Sequence, residues 1–403
     1  MNTLAALLPI RDRKDRVAGY ELATAPPLAA DTAAAADDNT RESLALVMPF
    51  ARLCGRSLLV PVTPALVRDG SLARFASMDV FMLLATEALD DSATRRAVER
   101  LTSSGIRFAL DGFPDGEQLP PVLAGAIVAI DSRRKSHDQL AARIRTLVDS
   151  GLRPLVRGID DRAARLRVLT SGAALYSGRE LTRVGPVITD VQTTSSIVRA
   201  ISMLASLVDG RPPGAEFDRY VESDPRISAA LLKSVSSASV GLRNPRSVAH
   251  AITVLGRDAV LQNLEVATAR LMGELVQDPD LALTAMRRVH LCERLGAALD
   301  PAPHPRARVA AALLSVMELA TAQPAACLLE SHLPDLPPIV IDALIERRQP
   351  LGQLVDLVEA LEYGWWSDLR ERCAALGISV SVAANAYQDA WKNARDDLAT
   401  RAE

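Results

Sequence analysis

Residues 57–62 read SLLVPV, residues 80–85 read VFMLLA and residues 126–131 read AIVAID. Each is a short, nearly continuous apolar run, the pattern of a strand buried on both faces of a sheet. Working outward, runs of the same kind recur at LLPI (7–10), GYELA (19–23), RFALDGF (107–113), RPLVRGI (153–159) and ALYSG (174–178). Amphipathic stretches at 41–54, 64–76, 90–103, 136–149 and 160–169 lie between them, so the strands are predicted to be parallel with helical crossovers. Ser92 reads as the cap of the helix that follows it. The Ala/Asp-rich stretch 26–41 reads as a solvated rim loop. Strands at this density predict a closed TIM-like (β/α) barrel. No Gly-rich phosphate loop follows the first strand, which argues against an open doubly wound sheet.

After about residue 186 the texture changes, and helical periods run to the end of the chain. Asp224-Pro225 reads as a helix start, with Ile227, Ala230, Leu231 and Val235 as its stripe. Ser247 opens another helix, and Gly256 stands at its end. Further helices are expected at 258–275, 281–297, 305–321, 324–331, 338–346, 351–362, 366–375 and 380–399. The fold class is therefore α/β plus all-α, with a barrel domain at 1–186 and a helical domain at 187–403.

The 46 Lys and Arg nearly balance 49 Asp and Glu, for a net charge of −3. That balance argues against a binder of nucleic acid held by phosphate neutralisation. No apolar run approaches the length of a membrane span. The N-terminal charges follow the apolar stretch, opposite to a secretory leader. Cys54, Cys292, Cys327 and Cys373 show neither disulfide nor zinc spacing. A cytoplasmic protein is expected.

Catalytic groups of a parallel barrel sit at the C-terminal ends of its strands. Those positions hold Glu21, Glu87, Asp111, Asp131, Arg157 and Asp160. Several carboxylates at one mouth are the minimum for binding divalent ions through oxygen ligands, and isolated ones serve equally as helix caps or solvated charges. The one adjacent His-Asp pair, His137-Asp138, falls at a helix start in the barrel half. His250, His290, His304 and His332 each lack a neighbouring Asp in sequence. Cys292 and His290 stand two apart on a helix and point to different faces. Tyr363, Trp365 and Trp366 are expected to pack rather than stack on a base.

In order and spacing, GYELA, LLATE, RFALDGF, VAID, RGIDD and LYSG resemble the strand motifs of EAL domains, barrels that hydrolyse cyclic di-GMP with two metal ions. By that resemblance Glu21 matches the signature glutamate and Asp111 the first of a paired aspartate. Other ligand positions depart from the pattern. Pro61 replaces an asparagine, Leu84 a glutamate, Gly112 the second aspartate and Ala129 a lysine, leaving Asp131 alone. Arg157 takes the place of a glutamate and Ser177 that of a glutamine, while Glu87 keeps the end of its motif. Ala25 replaces a phosphate-gripping arginine. The resemblance thus implies a vestigial mouth at Glu21, Glu87, Asp111, Asp131 and Arg157, in which Arg157 pairs with Asp111 or Glu21.

The helical half resembles HDOD domains through YVESDPRISAALLKSVSSAS (220–239), SVAHAITVLG (247–256) and RRVHLCERLG (287–296), with Ser236 where the family usually has asparagine. Together the two resemblances imply a bacterial signalling protein of the EAL–HDOD type. The expectation is no catalytic residue, metal or cofactor, and action through other signalling proteins or a second copy of the chain. A barrel that binds cyclic di-GMP without hydrolysing it is the alternative.

Overall fold

A computed structural model describes residues 5–14, 16–24, 33–76, 79–112, 123–159, 162–178, 191–209, 215–238, 245–321, 336–347 and 349–399. The expected helix at 324–331, and Ala25, Asp160, Cys327 and His332, lie outside the described residues. Contacts divide the chain into two compact units. The first holds residues 3–183 with Glu362–Trp366, and the second holds Val184–Leu361 with Ser367–Glu403.

The first unit is a closed barrel in the order β1 (Ala5–Asp12), β2 (Val17–Thr24), β3 (Ser57–Val62), β4 (Val80–Ala85), β5 (Arg107–Asp111), β6 (Ile127–Asp131), β7 (Arg153–Arg157) and β8 (Leu175–Ser177). From β2 to β8 each strand runs parallel to the next. The expectation of an all-parallel sheet fails at β1, which is antiparallel to both β2 and β8. Its reason is length: only residues 13–16 join β1 to β2, too few for a crossover helix and enough for a hairpin.

Helices α1 (Ala33–Cys54), α2 (Pro64–Arg68), α3 (Ser92–Ser103), α4 (His137–Asp149) and α5 (Arg162–Ser171) accompany the strands. Two local expectations are corrected. The second half of the stretch read as a loop is helical, because α1 begins at Ala33. Its alanines favour helix, and buried Asp37 accepts a 2.6 Å hydrogen bond from Thr63. The cap of α3 is Asp91, not Ser92. The Asp91 carboxylate accepts from the backbone N–H groups of Ala93 and Thr94. Ser136 and Gln139 close a reciprocal capping box on α4.

Inside the barrel, Ile10, Leu59, Leu83, Ala109, Ile127, Ala129, Leu155 and Leu175 form one buried cluster. Alternate residues such as Val60, Met82, Leu84, Leu110, Val128 and Val156 are buried on the opposite face of the same strands. Burial on both faces is why these strands read as continuous apolar runs.

The second unit is helical among its described residues. Its elements are α6 (Val191–Ser206), α7 (Ala215–Glu222), α8 (Pro225–Ala238), α9 (Val248–Leu255), α10 (Arg257–Val276), α11 (Pro279–Gly296), α12 (Pro305–Thr321), α13 (Pro338–Ile345), α14 (Pro350–Tyr363), α15 (Trp366–Ala375) and α16 (Val380–Ala399). The sequence reading lacked α6 and α7. For α6 the signal was present in Ile197, Ile201 and Leu204, all buried at i, i+4 and i+7. Asp224 accepts from the N–H groups of Arg226 and Ile227, and Ser247 from that of His250, so both expected starts are capped. Gly256 takes φ 82° between α9 and α10, a conformation open to glycine.

Helix α11 lies at the centre, packed on α10, α12 and α16. It carries Arg288, fully buried, which donates to Ser315 Oγ at 2.8 Å and lies 3.5 Å from Glu359. Arg347 joins the same charge cluster through Glu318, Asp356 and Glu359 at 3.2–3.4 Å. On α10, buried Glu265 pairs with Arg306 of α12. Burial pushes the Glu265 carboxyl up to about 7; Arg306 and His290 work against the rise and Glu293 adds to it.

Two predictions follow from this packing. A Cβ on Gly178 would fall inside contact distance of the Ile159 backbone N and O. Gly178→Ala is therefore expected to destabilise the barrel by about 1–3 kcal/mol, read as a lowered denaturation midpoint. Glu265 has a folded pKa above its ordinary 4.5, so the native state holds a proton that the unfolded chain has released. Its contribution is full below about 4.5 and is lost as pH rises through about 7. Urea titrations from pH 4.5 to 8 should show this falling slope, up to about 3 kcal/mol, flattened in Glu265→Gln.

Candidate functional site

Two residues along each strand from the buried cluster, the pleat brings Pro61, Ala85, Asp111, Asp131, Arg157 and Ser177 to the same face at the C-terminal end. Glu21 joins them from β2. On β4 the inward position is Ala85. Leu84, the residue matched by motif to a ligand glutamate, is wholly buried on the other face of the strand. Neither side chain offers a ligand atom.

Arg157 organises this mouth. Its Nη2 lies 2.5 Å from Glu21 Oε1 and its Nε donates to Glu21 Oε2 at 3.2 Å, a two-pronged grip. Its Nη1 donates to Asp111 Oδ2 at 3.1 Å. Ser177 Oγ donates to Glu21 Oε2 at 3.4 Å. The guanidinium therefore ties β7 to β2 and β5, and the hydroxyl ties β8 to the same carboxylate. Sequence reasoning named Asp111 or Glu21 as the partner; the structure gives both.

Glu21 is 4% exposed, whereas the Asp111 side chain is about half exposed. Burial pushes the Glu21 carboxyl above its ordinary value; the Arg157 charge and hydrogen bond and Ser177 pull against the rise, and Asp111 adds to it. For Arg157, burial disfavours the charge, but Glu21 and Asp111 outweigh it and hold its pKa above the usual.

The remaining candidates stand apart from this grip. Asp131 turns to Arg133 at 2.7 Å and caps the short turn Ser132–Arg134. The Arg133 hydrogen bond holds its carboxyl below the ordinary range. Glu87 is exposed in the 3₁₀ turn Thr86–Asp90. Thr86 Oγ1 of that turn donates to the carbonyls of Asp111 and Gly112. His137 and Asp138 are exposed in the first turn of α4.

The pair of metal ions implied by the EAL resemblance needs several oxygen ligands at about 2.0–2.6 Å from each ion. Two of the carboxylates here are engaged by Arg157 and a third by Arg133. Among the described residues, no three His, Cys, Asp or Glu side chains are grouped to hold a metal. The residues present do not fit such a pair.

In the helical unit, His250 Nδ1 accepts from the Arg246 N–H and His304 Nδ1 from the Arg306 N–H. His290 Nε2 lies 2.9 Å from Asp397 Oδ2, joining α11 to the end of α16. That pairing spans 107 positions, and no local sequence signal marks it. Cys292 and Cys373 are buried and in no disulfide, and burial pushes the Cys373 thiol up to about 11.

Residues 194–299 match the HDOD domain family. The helical half carries an HDOD domain. The chain is also 23% identical over 296 residues to the cyclic di-GMP phosphodiesterase CdgJ of Vibrio cholerae, covering 70% of this chain. The match spans 66% of that relative's own length, just under two thirds. Among solved structures, the EAL domain of Mycobacterium smegmatis DcpA is 21% identical with a TM-score of 0.36, covering 45% of this chain and 92% of its own. The EAL domain of Pseudomonas aeruginosa FimX bound to c-di-GMP is 14% identical with a TM-score of 0.37, covering 44% and 88%. A barrel followed by an HDOD domain is thus the order of this chain.

Removing Arg157 leaves Glu21 buried without its counter-charge. Arg157→Met is expected to lower barrel stability by about 1–3 kcal/mol at neutral pH, measured by chemical denaturation. Adding Glu21→Gln should recover most of that loss, because the orphaned charge goes with it.

Proposed function

We propose that this EAL-like–HDOD chain is a catalytically inactive signalling protein of a cyclic di-GMP-related network, acting through protein contacts in the cytoplasm. The observation that carries the reading is the Arg157 grip on Glu21 and Asp111. A mouth whose two best ligands answer to an internal cation has no free carboxylate pair with which to polarise a phosphodiester or activate water. The HDOD half supports it as well. Its buried charges, Arg288 and Glu265, are paired between helices with the half-buried Glu359 and Arg306. An inherited scaffold that has lost its chemistry retains its surfaces, and surfaces suffice for docking. Expected partners are other signalling proteins or a second copy of the chain. Among the described residues no helix is long and apolar enough to cross a membrane.

A second reading, favoured by the similarity to a cyclic di-GMP phosphodiesterase, is a receptor that holds the nucleotide without cleaving it. Calorimetric titration of the full chain with cyclic di-GMP, with and without magnesium, separates the two.

The purified chain should not hydrolyse cyclic di-GMP with magnesium or manganese; turnover that vanishes in Glu21→Ala would overturn the inactive reading. In a deletion-complementation assay, the folded double variant Glu21→Gln with Asp111→Asn should perform as wild type. Failure of that variant moves the function to the mouth and favours the receptor.

A further inference from the structure

The mouth is a misfit for metal, yet its polar residues are neither scattered nor solvated. Three guanidinium nitrogens of Arg157 engage oxygens of Glu21 and Asp111, carried by strands on different sides of the barrel. We propose that Arg157 is a built-in cation that replaces a divalent ion in cross-linking the mouth, making this barrel metal-independent and closed to divalent ions. The inference rests on the reading of the barrel as a scaffold without metal chemistry and states what took the metal's place.

The chemistry of the donor set carries it. Glu21 is buried among strands and cannot be left as an uncompensated anion. Its two oxygens are both taken by the guanidinium fork, with the Ser177 hydroxyl as an additional donor to Oε2. Asp111, on the open side, supplies its Oδ2 to the third nitrogen. A divalent ion seeking these oxygens would have to approach a fixed positive charge and displace it from both carboxylates. Arg157 is held by covalent attachment, at an effective concentration that free ions do not match. Of the neighbouring inward positions, Pro61, Ala85 and Ser177 add no anionic ligand, and the carboxylate of Asp131 is paired with Arg133.

A single position therefore decides between an ion-paired mouth and a cation site. In Arg157→Glu the fork is gone, and a third carboxylate joins Glu21 and Asp111 around the same space.

The test is Mn²⁺ binding to the full chain by electron paramagnetic resonance, with melting curves in EDTA and in excess Mn²⁺. Wild type is expected to show no saturable Mn²⁺ site up to about 1 mM and the same melting temperature in both buffers. Arg157→Glu is expected to melt below wild type in EDTA, to bind Mn²⁺ with measurable saturation, and to regain thermal stability with it. If Arg157→Glu does not fold, Arg157→Gln, which keeps a donor but removes the charge, is expected to show weaker binding of the same kind. A wild-type Mn²⁺ site abolished by Glu21→Gln overturns the inference, as does a folded Arg157→Gln or Arg157→Glu that binds no Mn²⁺. Neither outcome depends on complementation, so failure here and failure of the protein-contact reading are told apart.

Discussion

Arg157 can reach Glu21 and Asp111 together only because the sheet is closed. In an open sheet of the same strand order, β7 would stand two strand spacings from β5 but five from β2, the latter beyond the span of one side chain. Closure brings all three to one opening, and the opening then has to balance whatever charges the inward faces present. The grip on buried Glu21 meets that demand inside the protein. The mouth is consequently a structural feature of the barrel as much as a place where a ligand could sit.

The helical unit treats charge in a related way. Arg288 has no exposed surface, and its partners Ser315 and Glu359 come from different helices. Removing either partner from such a cluster costs more than the cluster contributes as a whole, because an isolated charge stays behind. Charges arranged like this fix which helices neighbour one another. Helix α11 gains a particular set of neighbours through Arg288 and through His290, whose partner Asp397 lies near the end of α16.

Most of the architecture was legible in the sequence because burial on both strand faces leaves unbroken apolar runs such as SLLVPV and VFMLLA, each of which became a strand over those same residues. The direction of β1 was not legible from its own composition; the four-residue link that follows it was the informative feature. The helical reading of 33–41 was hidden by polar residues, two of which, Asp37 and Thr40, are buried in the fold. At the mouth, sequence comparison set Glu21, Asp111 and Arg157 at strand ends and foresaw an ion pair, since charge signs are plain in a sequence. It assigned the β4 position to Leu84, whereas the pleat presents Ala85, because a motif records order along the chain and not the face a side chain takes. The His290–Asp397 contact depends on two distant helices meeting and had no local trace.

The reversed first strand has a consequence for access. Ala5 pairs with Thr24, at the end of β2 that bears the mouth, so β1 runs from the rim inward while β2 to β8 run outward. In a barrel of uniformly parallel strands, the amino-terminal end of the first strand lies at the opposite pole from the opening. Here a sensor domain, an affinity tag or a fluorophore attached ahead of Ala5 is delivered to the rim itself. A fusion at that end shares space with anything that docks over the mouth, and it is well placed to report such docking or to obstruct it.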